Sequence, residues 1–189
     1  MIETAGSLLR RDGYAATGWR KVIEQSGTPW GSQHHHFPGG KEQLAAEAVR
    51  LGGDQSNAAL AHALANSATV GDGVRRYIEL ATKQLVTSGY RDGCPVATVA
   101  LEMTPTSPEL TDVCATALNA WGNTLAIALR DAGASDERAH ELATLVVLSI
   151  EGALLLARVR RDPEPLTVAS DAIGRLLDDE LAASPPFAD

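Results

Sequence analysis

Cysteine and aromatic residues are both scarce in this chain of 189 residues, which has two Cys, three Trp, three Tyr and two Phe. Two cysteines, Cys94 and Cys114, make no disulfide framework, so free buried thiols in a reducing compartment are expected. No run of 18 or more uncharged apolar residues occurs, and no membrane span is expected. The opening MIETAGSLLRRDGY lacks the basic segment, apolar stretch and cleavage site of a signal peptide, which makes the cytoplasm the expected location. Alternating strand patterns are missing, leaving an all-α fold. No Gly-rich phosphate loop, HExxH or GxSxG is present. His140 and Glu141 are adjacent on a helix and do not face a common substrate, so neither an enzyme nor a cofactor is expected.

Positive charge is short as well: sixteen Lys/Arg stand against twenty-four Asp/Glu, a formal net charge of −8. Such a chain does not coat nucleic acid by bulk attraction. Residues 1–50, however, hold six basic against five acidic groups, whereas residues 51–189 hold ten against nineteen. His34, His35 and His36 also fall in the first segment. A head of about neutral charge can meet a polyanion while an acidic body faces away.

What is plentiful is helical periodicity. Ile2, Ala5, Leu8 and Leu9 predict a first helix ended by Gly13. Trp19, Val22 and Ile23 mark a second, with Thr17 as its N-cap and Gly27 as its break. Thr28-Pro29 restarts the chain, a capping hydroxyl followed by proline at the first helical position, giving a short third helix over 29–35. A fourth runs from about Lys41 toward residue 66, with Gly52-Gly53 as a possible bend. Further helices are expected at about 74–88, around Val96–Met103, and at about 109–131, 136–159 and 166–182, roughly nine in all. Two domains follow: a three-helix helix-turn-helix head over 1–46, and a larger helical domain for ligand binding and dimerisation over 47–189. The stretch 142–159 is apolar on more than one face and needs cover on most sides. It is either the central helix of a monomer core or a helix packed both on its own core and on a second subunit.

The third helix carries polar and aromatic groups where a core helix would have leucines. Trp30 suits sugar stacking or thymine methyls, Gln33 suits adenine, and Ser32 and His34 suit base edges or phosphates. Arg20 and Lys21 at the start of helix two, and Lys41 at the start of helix four, are placed for phosphate contact. For Arg20 and Lys21 a solvated face is an equal alternative, and Phe37 reads as packing rather than contact. A metal site from the three consecutive histidines is not expected, because they point in different directions.

Residues 13–44 resemble the head of the TetR family of transcriptional regulators, through Gly13, Tyr14, Thr17, Val22, Gly27, Gly31, His36, Phe37, Lys41 and Leu44. The stretches GCPVATVALEMTPTSPEL and EGALLLARVRRDPEPL resemble its LmrA/YxaF-like subfamily, so the likeness spans almost the whole chain. The resemblance implies a homodimer that binds a palindromic operator, usually as a repressor, and is released by a small molecule. It implies phosphate contacts at Thr17 and Arg20, base reading at Trp30 and Ser32, backbone contact at His34, a DNA-side role for His36 and Lys41, and a dimer interface of helices 136–159 and 166–182. Gln33 stands where the family has an apolar residue, and His34 where it has tyrosine. The family's basic arm precedes the position of Ile2, so its contacts are expected to be missing here, through a misassigned start or a truncated chain. Tyr77, Cys94, Met103 and Trp121 are candidates for lining an effector cavity, with core filling as the alternative for each. The resemblance suggests a drug-like or flavonoid-like aromatic effector. A ligand-binding helical protein with a weakened head is the alternative reading of the whole chain.

Overall fold

The structure, a computed structural model, describes residues 1–183. The end of the expected second domain, residues 184–189, lies outside the described residues. Among the described residues there are nine α-helices and no strand: α1 (Ile2–Asp12), α2 (Trp19–Ser26), α3 (Ser32–His36), α4 (Gly40–Ala65), α5 (Val70–Thr87), α6 (Ala97–Met103), α7 (Pro108–Asp131), α8 (Asp136–Arg160) and α9 (Glu164–Ala183).

Two compact units emerge. One comprises Met1–Gln55 and Asp92–Leu118, the other Ser56–Arg91 and the chain from Asn119 onward. Helices α4 and α7 contribute to both. The first unit is built on Leu8, Leu9, Val22, Leu44, Val49, Val96, Val99 and Leu110, all buried. In the second, α5, α8 and α9 pack on one another over Val74, Ile78, Leu85, Leu142, Val146, Leu166 and Leu177. Polar ties reinforce this packing. Arg75 of α5 bonds Asp178 of α9 at 2.8 Å, and Arg138 of α8 forks onto Glu180 of α9.

Several boundaries differ from the sequence expectation, each for a local reason. Thr17 does not cap α2: its hydroxyl donates back to the Gly13 carbonyl at 2.7 Å, and Gly18 occupies the cap position without a side-chain bond. The third helix begins at Ser32 rather than Pro29, because Gly31 at φ 101° holds the chain in the left-handed region just before it. Helix α5 starts at Val70, capped by Thr69, whose hydroxyl accepts the Asp72 N–H at 3.0 Å. The Gly71-Asp72-Gly73 segment is therefore helical, and a Cβ at Gly73 would lie 2.8 Å from Leu64 Cα. Gly52-Gly53 sits inside the continuous α4, where Gly53 permits close approach of Ala117 rather than a bend.

Helix α8 is long and apolar enough to cross a membrane by length and composition alone. Glu151 interrupts what would otherwise be an uncharged run. Its buried residues Leu142, Val146, Ile150, Ala153 and Ala157 recur every three or four positions, as on a helix with one face in a protein core. The opposite side leaves Leu145, Leu148, Leu155, Leu156 and Val159 exposed, Leu148 by 65% and Val159 by 73%. Val168 of α9 is exposed too.

Candidate nucleic-acid interface and ligand cavity

The α1–α2–α3 segment presents its polar groups unevenly. Trp30, in the turn between α2 and α3, is 69% exposed, although tryptophan is ordinarily well buried. His34, His35 and His36 are exposed along α3. The His36 ring lies 6.5 Å from Phe37, itself buried against Trp19 at 6.0 Å between centroids. This aromatic pair, together with Val22 and Ile23, supplies the apolar support that a five-residue helix cannot provide for itself.

Gln33 is 3% exposed, and its carboxamide oxygen accepts the Gly31 N–H at 2.8 Å. The side chain thus stabilises the turn that leads into α3 and faces inward in this conformation. Ser32 donates its hydroxyl to the Pro29 carbonyl at 2.8 Å in the same turn. Arg20 is fully outward and pairs with Glu24 one turn along, at 2.8 Å. Lys21 bonds Asp12 at 2.6 Å; that hydrogen bond chiefly holds the Asp12 carboxyl below its ordinary value, against a smaller opposing effect of burial. Lys41 sits 4.1 Å over the Tyr14 ring, with its ammonium made less basic by burial and partly restored by Glu102.

In the second unit, Tyr77 of α5 and Trp121 of α7 do come together. With Leu60, Leu125, Val147, Ile150 and Glu151 they line a cavity of about 20 Å³, room for a water molecule but not for an aromatic ligand. Cys94 and Met103 lie in the first unit and are not part of that lining. Cys94 is buried, with its sulfur accepting the Ala97 N–H at 3.3 Å. Cys114 is buried as well, which pushes its thiol up to about 11 and leaves it inert at neutral pH.

Comparison with known proteins settles the family. A family model for LmrA/YxaF-like transcriptional regulators, C-terminal domain, matches residues 71–172, more than half of the chain. The chain is 33% identical to the HTH-type transcriptional regulator LmrA of Bacillus subtilis, over 94% of each protein. The chain belongs to the TetR family. It is also 36% identical to an HTH-type transcriptional regulator of Mycobacterium tuberculosis, over 96% of this chain and 94% of that one. In fold it matches the regulatory protein TetR from Rhodobacter sphaeroides with a TM-score of 0.82 at 23% identity, covering 92% of this chain and 95% of the other.

TetR-family membership makes α1–α3 a DNA-binding helix-turn-helix and the protein a transcriptional regulator. Regulators of this family generally act as dimers on operator DNA and respond to small ligands. Two features of this TetR-family chain escaped the sequence. One is the pairing of Arg20 and Lys21 with carboxylates of their own head. The other is Glu102 of α6, which accepts hydrogen bonds from the backbone of the α1–α2 turn. Eighty-eight positions separate Glu102 from Tyr14, so no local pattern could have joined them.

Proposed function

We propose that the protein is a cytoplasmic, ligand-responsive repressor that binds a palindromic operator as a homodimer. DNA binding is assigned to residues 1–46, ligand binding and dimerisation to 47–189. Trp30, Ser32, His34 and His36 face the bases and sugars of the major groove; Arg20, Lys21 and Lys41 meet phosphates; Thr17 and Gln33 shape the turns that aim them. The observation that carries this reading is Trp30, held outward beside three exposed imidazoles on a helix too short to serve as core.

Helices α8 and α9 form the dimer interface. The exposed leucines of α8 supply the apolar face such an interface buries, and two-fold symmetry then sets two heads on half-sites about one helical turn or a multiple apart. The effector is a small hydrophobic or aromatic molecule. It enters beside Tyr77 and Trp121 by opening the small cavity they line; Cys94 and Met103, in the other unit, are left out of this ligand site. A ligand too large for a cavity of about 20 Å³ fits only an opened state, and binding it draws the population away from the operator-binding one. The regulated gene would be one for efflux or detoxification.

The test is binding of the purified protein to DNA upstream of its own gene, against a scrambled duplex, over a salt series. Preference for the upstream DNA that weakens with salt supports the repressor. Equal affinity for both duplexes sinks it. That second outcome favours a ligand-binding protein with a weakened head, a reading that draws on the pairing of Arg20 with Glu24 and of Lys21 with Asp12.

A further inference from the structure

We propose that Glu102 of α6 is a positioning residue for operator recognition: its carboxylate fixes the α1–α2 turn and thereby the pose of the helix-turn-helix. The proposal rests on the DNA-binding reading above. Both carboxylate oxygens are engaged. The Tyr14 N–H donates to one at 3.0 Å and the Ala15 N–H to the other at 2.8 Å. These two donors lie in the turn between helices, where no helical carbonyl is available to them. The backbone is shaped around the acceptor: Gly13 has φ +82°, and a Cβ there would stand 1.9 Å from Glu102 Oε1.

Two further ties join the same segment to the head. The Gly93 N–H donates to the Arg10 carbonyl at the end of α1 at 3.1 Å, and the Ser107 hydroxyl donates to Glu42 in the first turn of α4. Residues 93–107 therefore hold the end of α1, the α1–α2 turn and the start of α4. Of these three ties, the Glu102 one acts on the turn that feeds α2, the helix bearing Arg20 and Lys21. The residue type fits the task. A carboxylate accepts two N–H groups at once, whereas a carboxamide offers one acceptor and turns a donor toward the second. Lys41, beside the same turn on the Tyr14 ring, is the cation whose charge Glu102 supports.

A turn that only needed stabilising would show its loss equally on every DNA. A positioning residue shows it as lost discrimination. Full-length wild type, Glu102→Gln and Glu102→Ala are compared on the upstream operator, on versions with the half-site spacing changed by one base pair, and on a scrambled duplex. Amide exchange at Tyr14 and Ala15 is followed in the same proteins without DNA. Glu102→Ala is expected to bind the operator about tenfold more weakly, to tolerate altered spacing better than wild type, and to bind scrambled DNA within about twofold of it. Glu102→Gln is expected between the two, and exchange at both amides should rise. Unchanged exchange in Glu102→Ala overturns the proposal whatever the DNA result. So does a parallel loss on operator and scrambled DNA, or an unaltered spacing preference. A wild type with no operator preference overturns the DNA-binding reading itself, and the positioning role with it.

Discussion

Helices α3 and α8 both leave in solvent what a monomer would ordinarily cover, yet they do so in opposite chemistry. Three exposed imidazoles and a half-buried serine belong to the five-residue α3 itself, an exposed tryptophan stands in the turn before it, and the Trp19–Phe37 pair supports the helix. Along α8, leucines and a valine lie opposite a well-packed buried face on a helix of 25 residues. Exposed groups with hydrogen-bonding edges suit a polar, hydrated partner such as a DNA groove. An exposed aliphatic strip suits another aliphatic strip, and a second copy of the chain supplies one.

Charging the aliphatic strip of α8 is expected to have the largest effect. Leu148→Glu with Leu155→Glu should convert the dimer to a monomer in sedimentation, and weaken operator binding by about a hundredfold through loss of the second head. A dimer that survives would move the interface elsewhere. The buried face of α8 answers differently. Leu142→Ala should cost about 2–5 kcal/mol in chemical denaturation, without acting on the dimer contact directly.

Substitutions around α3 are expected to spare the fold. Trp30→Ala should lower operator affinity about tenfold, within the range of a good base-edge or groove contact, with the thermal midpoint essentially unmoved because the ring is mostly in solvent. A large fall in the midpoint would make Trp30 a structural residue instead. Arg20→Ala should weaken binding to operator and scrambled DNA alike and reduce the log–log salt slope by about one. An unchanged slope would leave Arg20 paired with Glu24 and off the DNA.

The smallest effect concerns the Asp12–Lys21 pair. The lysine hydrogen bond holds the Asp12 carboxyl below its ordinary value. Its contribution to stability is therefore present above the unfolded value of about 4 and fades as pH falls through the lower folded value. For a partly exposed pair this amounts to less than about 1 kcal/mol. Comparing Asp12→Asn with wild type in denaturant should give a difference at pH 7 that vanishes near pH 2. A difference that persists at pH 2 would assign the effect to something other than the charge.

The helices were legible where periodicity is long: α1, α7, α8 and α9 lie within about two residues of their expected bounds. Where tertiary contact decides, the sequence misled. Gly71 and Gly73 looked like a break but are buried in the first turn of α5, and Pro29 looked like a helix start but precedes a left-handed Gly31. Tyr77 and Trp121 line one small cavity while Cys94 and Met103 lie in the other unit, a division that spacing alone does not encode because it says nothing about which helices meet. Glu102 shows the same limit: one acidic residue on a short helix carries no signal until the turn it holds is folded against it.

Footprinting of the upstream DNA with the purified protein is the decisive measurement. Two protected half-sites related by two-fold symmetry are expected, about one helical turn or a multiple apart, with protection abolished by Leu148→Glu with Leu155→Glu. A single unsymmetrical footprint that persists in that double variant, or no footprint at all, would contradict operator binding as a homodimer.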